Sequence, residues 1–173
     1  LKQAQKSNSK LATADNKVVS RHGSQQQLSL FPAPSSGLMG VDEVGRGCLS
    51  GPVVAAAVIL PQIAKKSFLA EELSDLNDSK ALSQKQRERL AGILRANCRF
   101  AIAEASPAEI DQINILQASL LAMRRAIDAL LLNVAIAPEQ LLLLVDGNQK
   151  VKGLKLEQIT VIQGDSHSAS IAA

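Results

Sequence analysis

Four carboxylates occupy places where charge is unfavourable, at the ends of apolar segments. Asp42 and Glu43 follow Leu38-Met39-Gly40-Val41 and precede Val44-Gly45-Arg46-Gly47. Asp146 follows Leu141–Val145, and Asp165 follows the segment 159–162 after the two residues Gln163 and Gly164. A buried carboxylate is costly unless it is paired or metal-bound. In sheets flanked by helices, ligands gather at strand ends. Several ionised carboxylates sharing one place need cations to neutralise them. Oxygen donors without His or Cys favour Mg²⁺ or Mn²⁺ over zinc. A pair of such ions can activate a water and stabilise a leaving oxygen in phosphodiester hydrolysis. Taken singly, Asp146-Gly147-Asn148 reads equally well as a turn and Asp165 as a helix cap. Three strand ends carrying acids favour the metal reading.

The elements that must position these acids are legible in outline. Leu38–Asp42 and Pro52–Leu60 read as strands, the second buried on both faces by its unbroken apolar run. The short turn 43–51 makes them an antiparallel hairpin. Ser83-Gln84-Lys85-Gln86 has the form of a capping box opening a helix to about Asn97, with Leu90, Ile93 and Leu94 inward. Arg99–Ala105 alternates as a strand. Ser106-Pro107-Ala108-Glu109 starts a second helix, with an N-cap serine, proline at the first helical position and glutamate at the third. Its apolar stripe runs through Ile113, Leu116, Leu120, Met123, Ile127 and Leu130 to an end near Asn133. Leu141–Val145 and Ile159–Ile162 complete the strands, and a helix begins after Ser166.

The 173 residues are 46% hydrophobic with three Phe and no Trp or Tyr, so the core is aliphatic. Residues 1–37 carry five cationic side chains against Asp15 alone. The remaining 136 residues carry fourteen basic and fifteen acidic ones, so the basic character belongs to a tail. A cationic tail raises affinity for polyanions without reading sequence; it also serves as a plain solubilising segment. Residues 1–27, rich in Gln, Ser, Lys and Asn, are expected to be disordered. No apolar run approaches the ~20 residues of a membrane span, and no secretion signal opens the chain. Cys48 and Cys98 lack metal-ligand spacing and read as reduced thiols of a cytoplasmic protein. The expected organisation is a flexible basic tail over 1–37 and one catalytic domain over 38–173.

The sequence resembles bacterial ribonuclease HII, the type 2 ribonuclease H. The matching segments are Gly40-Val41-Asp42-Glu43-Val44-Gly45-Arg46-Gly47, Asn77-Asp78-Ser79-Lys80, Glu109-Ile110-Asp111-Gln112-Ile113-Asn114-Ile115-Leu116, Val145-Asp146-Gly147-Asn148 and Gly164-Asp165-Ser166. The resemblance implies an α/β fold, an RNase H-like mixed sheet flanked by helices. It implies hydrolysis of the RNA strand of RNA–DNA hybrids and incision 5′ to single ribonucleotides in duplex DNA, by a monomer using two divalent ions, Mg²⁺ or Mn²⁺. Asp42, Glu43, Asp146 and Asp165 match the metal-binding catalytic acids. Gly45, Arg46 and Gly47 match a loop that senses the ribose 2′-OH, the group that separates RNA from DNA. Lys80 matches a phosphate contact. The resemblance also implies a further C-terminal part carrying a tyrosine that packs on the ribose at the cleavage junction. This sequence contains no tyrosine and is read as a C-terminally shortened form.

Gln27-Leu28-Ser29-Leu30-Phe31 lies between the polar tail and the linker Pro32-Ala33-Pro34-Ser35-Ser36-Gly37. With no core of its own to enter, it reads as a linear motif. It resembles the peptide by which bacterial repair enzymes dock on the DNA sliding clamp, with Gln27, Leu28, Leu30 and Phe31 as the docking residues. A competing reading, from another class, is a catalytically impaired module that binds nucleic acid or the clamp. A nuclease of the same fold acting only on DNA is a third, disfavoured because DNA has no 2′-OH for the glycine-flanked arginine to sense.

Overall fold

The computed structural model describes residues 37–61, 67–76, 80 and 82–173. The linear motif at Gln27–Phe31 and most of Asn77–Lys80 lie outside the described residues. Within them, a five-stranded mixed sheet has the order β3-β2-β1-β4-β5. β1 (Gly37–Val44) and β2 (Val53–Ile59) form the expected antiparallel hairpin, in register Met39 with Ile59 through Val44 with Val54. β3 (Arg99–Ala105) adds to β2 antiparallel. β4 (Leu141–Asp146) lies parallel to β1, and β5 (Glu157–Val161) parallel to β4. The carboxyl ends of β1, β4 and β5 therefore share one edge.

Strand side chains alternate between faces, and each face has its own cover. Met39, Val41, Leu143 and Val145 pack against α3 (Pro107–Leu132) through Ala118, Ala122, Met123, Ala126 and Ile127. Small residues on α3 and the alanines of β2 and β3 let helix and sheet approach closely. The opposite face is covered by two groups. Leu142 and Leu144 pack with Ile171 of α4 (Ala169–Ala172). Leu90 and Leu94 of α2 (Gln84–Asn97) pack with Leu73 and Leu76, which follow α1 (Phe68–Glu72). Arg89 ties α2 to this segment by pairing with Glu72 and with Asp75 at 2.9 Å.

Both sequence-predicted capping boxes form. The Ser83 hydroxyl accepts from the Gln86 amide while the Gln86 side chain accepts from the Ser83 amide. Ser106 and Glu109 do the same at α3. The expected single helix behind Ser106 is, however, interrupted. Asn114 sits at φ 68°, ψ 162°, and its side-chain oxygen accepts from the Gln117 amide at 3.1 Å, so a second helical segment starts there. The side-chain cap on the second segment offsets a backbone conformation otherwise almost confined to glycine. The break turns Ile113 outward, 37% exposed, so it leaves the stripe that Met123, Ile127 and Leu130 continue. No described helix is long and apolar enough to cross a membrane.

Candidate metal centre

Asp42, Glu43 and Asp146 each direct a carboxylate oxygen into one place at the carboxyl edge of β1 and β4, all three within 4.8 Å of one another. The parallel pairing of the two strands, Val41 opposite Val145, sets their ends side by side. Adjacent residues of a strand point to opposite faces. Asp42 therefore shares the face of Gly40 and α4, while Glu43 leans toward α3. A small cleft of about 60 Å³ opens there, lined by Glu43, Arg46, Leu116, Ser119, Asp146 and Asn148. A larger cavity of about 230 Å³ lies on the other face, between α2 and the sheet, lined by Leu90, Leu94, Phe100 and Ile102. Its lining is mostly apolar, so the smaller cleft is the one with reactive chemistry.

The acids are held by short local bonds. The Glu43 amide donates to Asp42 Oδ1 at 2.7 Å. The Gly164 amide donates to Asp146 Oδ1 at 2.7 Å. Arg46 Nη1 pairs with Glu43 Oε1 at 3.0 Å. Gly45, at φ 108°, makes the turn that folds Arg46 back; a Cβ there would stand 2.7 Å from the Pro52 carbonyl oxygen. Gly47 faces open space.

Burial pushes the Asp42 carboxyl up to about 7, helped by the charges of Asp146, Glu43 and Asp165 and opposed by the Glu43 amide. Carboxylates crowded at one partly buried place favour a proton or a cation among them. The donors suit a hard divalent ion bound by oxygen.

The fourth sequence-predicted acid is set back. Asp165 lies on a 3₁₀ turn, Gly164–Ser166, outside the tight group of three, though its charge is felt at Asp42. Its Oδ1 accepts from the Ser166 amide at 2.9 Å. Lys80 is exposed, and its flanking residues are outside the described set. His167 is exposed on the same turn as Asp165. Sequence reasoning missed the Gly164 amide as a partner of Asp146. The signal available was a glycine between a strand and a helix start. It also missed Leu116 and Ser119 as lining residues, because the break at Asn114 sets the path of that helical segment.

Known proteins share this sequence and this fold. The family model described as Ribonuclease HII matches residues 39–173. The Ribonuclease HII of Fusobacterium nucleatum subsp. nucleatum is 45% identical over 148 residues, 84% of this chain and 64% of that protein. That of Ruegeria pomeroyi is 52% identical over 136 residues, 79% of this chain and 53% of that protein. The chain thus spans between about half and two thirds of the length of these relatives. Among solved structures, Bst-RNase HIII in complex with Mn²⁺ shares the fold, with a TM-score of 0.65 at 19% identity over 92% of this chain and 55% of that one.

Proposed function

The chain belongs to the ribonuclease HII family, and from that premise we propose that its acid cluster is the centre of an endoribonuclease. The substrates are the RNA strand of RNA–DNA hybrids and duplex DNA carrying a single ribonucleotide, incised on its 5′ side. The observation that carries the reading is the convergence of Asp42, Glu43 and Asp146 within 4.8 Å at the ends of parallel β1 and β4. In this reading Asp42, Glu43 and Asp146, with Asp165 beside them, hold two divalent ions, Mg²⁺ or Mn²⁺. When bound, such a pair supplies an activated water and neutralises charge on the leaving oxygen.

The chain's own groups supply the rest. The turn of Gly45, Arg46 and Gly47 stands beside Glu43, where main-chain groups can reach a ribose 2′-OH. Gly47 has no neighbour that would obstruct that approach. Arg46, anchored on Glu43, presents positive charge to the phosphate next to that ribose. Lys80 is assigned a more distant phosphate, where a flexible cation positions the duplex without reading its sequence. Gln27, Leu28, Leu30 and Phe31 are assigned to docking on the bacterial sliding clamp, with the enzyme working as a cytoplasmic monomer.

The test is cleavage of a duplex bearing one ribonucleotide, and of a hybrid, with Mg²⁺ or Mn²⁺ and with EDTA. Metal-dependent incision 5′ to the ribonucleotide is expected. Asp42→Asn should lower the rate more than roughly 100-fold, beyond the loss typical of outer-shell partners, while binding of labelled hybrid persists. A chain that binds both substrates and cuts neither would instead be a nucleic-acid-binding module.

A further inference from the structure

The fourth acid reaches the site on a short segment whose position is set by a glycine on the neighbouring strand. Gly40 is the β1 residue two before Asp42 and on the same face. A Cβ at Gly40 would lie 1.7 Å from the Ser170 carbonyl oxygen, 2.1 Å from its carbonyl carbon and 2.6 Å from the Ile171 nitrogen. No side chain fits there; the backbone of α4 rests directly on the strand. By contrast, a Cβ at Gly37, on the same strand, would make only ordinary contact, 3.4 Å from Leu141 Cδ2.

From Ser170 the link to Asp165 is short and continuous. The Ser168 amide donates to the Gly164 carbonyl at 2.7 Å, and the His167 amide to the same carbonyl at 3.0 Å. The Ile171 and Ala172 amides both donate to the Ser168 carbonyl. The 3₁₀ turn that carries Asp165 and the helix seated on Gly40 therefore form one hydrogen-bonded unit. Ile171, 3% exposed, clamps that unit to the sheet against Leu142 and Leu144. Ser168 and Ser170 are buried beneath it. Gly40 and Asp42 are thus both ends of one geometric relation: the strand that carries the first acid also fixes the height at which the fourth one stands.

We propose that Gly40 is a positioning residue for the metal centre, seating the 164–172 segment so that Asp165 joins the cations held by Asp42, Glu43 and Asp146. The proposal rests on the metal reading above and adds to it a residue with no ligand atom. Gly40→Ala must lift α4 off β1, because all three clashing atoms belong to the backbone, which no rotamer change can move. Asp165 moves with it, and so does the Gly164 amide that holds Asp146 Oδ1, while Asp42 and Glu43 stay with β1.

The experiment is a Mn²⁺ titration of the intact chain, followed by calorimetry and by the electron paramagnetic resonance of free Mn²⁺. It uses the parent, Gly40→Ala, Asp165→Asn, the double variant, Ile171→Ala and, as control, Gly37→Ala. Asp165→Asn should weaken Mn²⁺ binding by about tenfold, in the range seen when outer-shell support is lost, and Gly40→Ala by at least as much, because it also draws the Gly164 amide from Asp146. The double variant should be no weaker than the worse single one, because both changes remove the same contribution. Ile171→Ala, which releases α4 without a clash, should show the same loss and keeps the test open if Gly40→Ala does not fold. Gly37→Ala should bind as the parent does. Parent-like binding by Gly40→Ala or Ile171→Ala, or losses that multiply in the double variant, would overturn the role of Gly40. A parent chain that binds no Mn²⁺ would overturn the metal reading itself.

Discussion

The Gly164 amide donates to Asp146 Oδ1 across eighteen residues of sequence, tying the acid at the end of β4 to the turn that carries Asp165. One carboxylate oxygen of Asp146 is thereby committed to the protein. A Cβ at Gly164 would stand 3.1 Å from that oxygen and 2.4 Å from Ile171 Cδ1. The terminal methyl of Ile171 can turn away, but Asp146 must give ground. Gly164→Ala should therefore weaken divalent-ion affinity by roughly 10-fold, with far-UV circular dichroism unchanged. Unaltered affinity would mean that the amide does not orient Asp146.

Asp42 makes the metal-free protein sensitive to pH in a defined direction. Its carboxyl is raised by burial from 3.8 to about 7. The folded state thus keeps a proton that the unfolded chain releases, and stability present below pH 4 is lost as pH rises toward 7. At ~1.4 kcal/mol per pH unit, tempered by water at the strand end, the loss is on the order of 2 kcal/mol. In EDTA, Asp42→Asn should melt above the parent at pH 8 and level with it at pH 4. Excess Mn²⁺ should raise the parent's melting temperature at pH 8 by mass action and leave Asp42→Asn little changed. A parent that melts alike at both pH values in EDTA, relative to the variant, would refute the crowding of these acids.

The start of α3 is fastened independently of the chemistry. Glu109 receives Arg125 Nη2 at 2.6 Å and closes the capping box with Ser106, while Arg125 Nη1 also donates to the Glu104 carbonyl. The hydrogen bond from Arg125, with those from Ser106, holds the Glu109 carboxyl down near 2. A lowered acid stabilises the fold above its unfolded value of 4.5 and ceases to as pH falls toward 2. Ser106→Ala should cost about 1 kcal/mol, or about 2–4 °C in melting temperature. Cleavage at 25 °C should be unchanged, and a fall in rate without a fall in stability would place this cap in the site instead.

What could be read before the structure were features whose cause is local. Ser83 with Gln86 and Ser106 with Glu109 carry their caps in four residues, and both caps form. The unbroken run of β2 and the acids at the carboxyl ends of β1 and β4 were likewise visible, because strand burial writes itself as apolar composition. The break at Asn114 was not, since 3.6-residue periodicity passes through a single left-handed residue without a mark. The faces of β3 were also hidden. Ala101 and Ala103 turn toward α3 while Phe100 and Ile102, 39% and 55% exposed, line the apolar groove on the other side. Which face a strand buries depends on how closely a distant helix approaches.

At the site, residue types were legible and contacts were not. Asp42, Glu43 and Asp146 meet because β4 runs parallel to β1, a pairing between residues about a hundred apart. Arg46 folds onto Glu43 through a turn that Gly45 alone permits. Asp165 stands back on a 3₁₀ turn whose place is fixed by backbone packing on Gly40. Each of these relations is a matter of register or close approach, neither of which spacing along the chain records.

The most direct measurement is the anomalous scattering of Mn²⁺ in crystals of this chain soaked with the ion, collected above and below the manganese absorption edge. Density bonded to carboxylate oxygens of Asp42, Glu43 and Asp146, and absent from crystals of Asp42→Asn, is the result expected. Manganese density elsewhere on the surface, with those three carboxylates unliganded, would contradict the account.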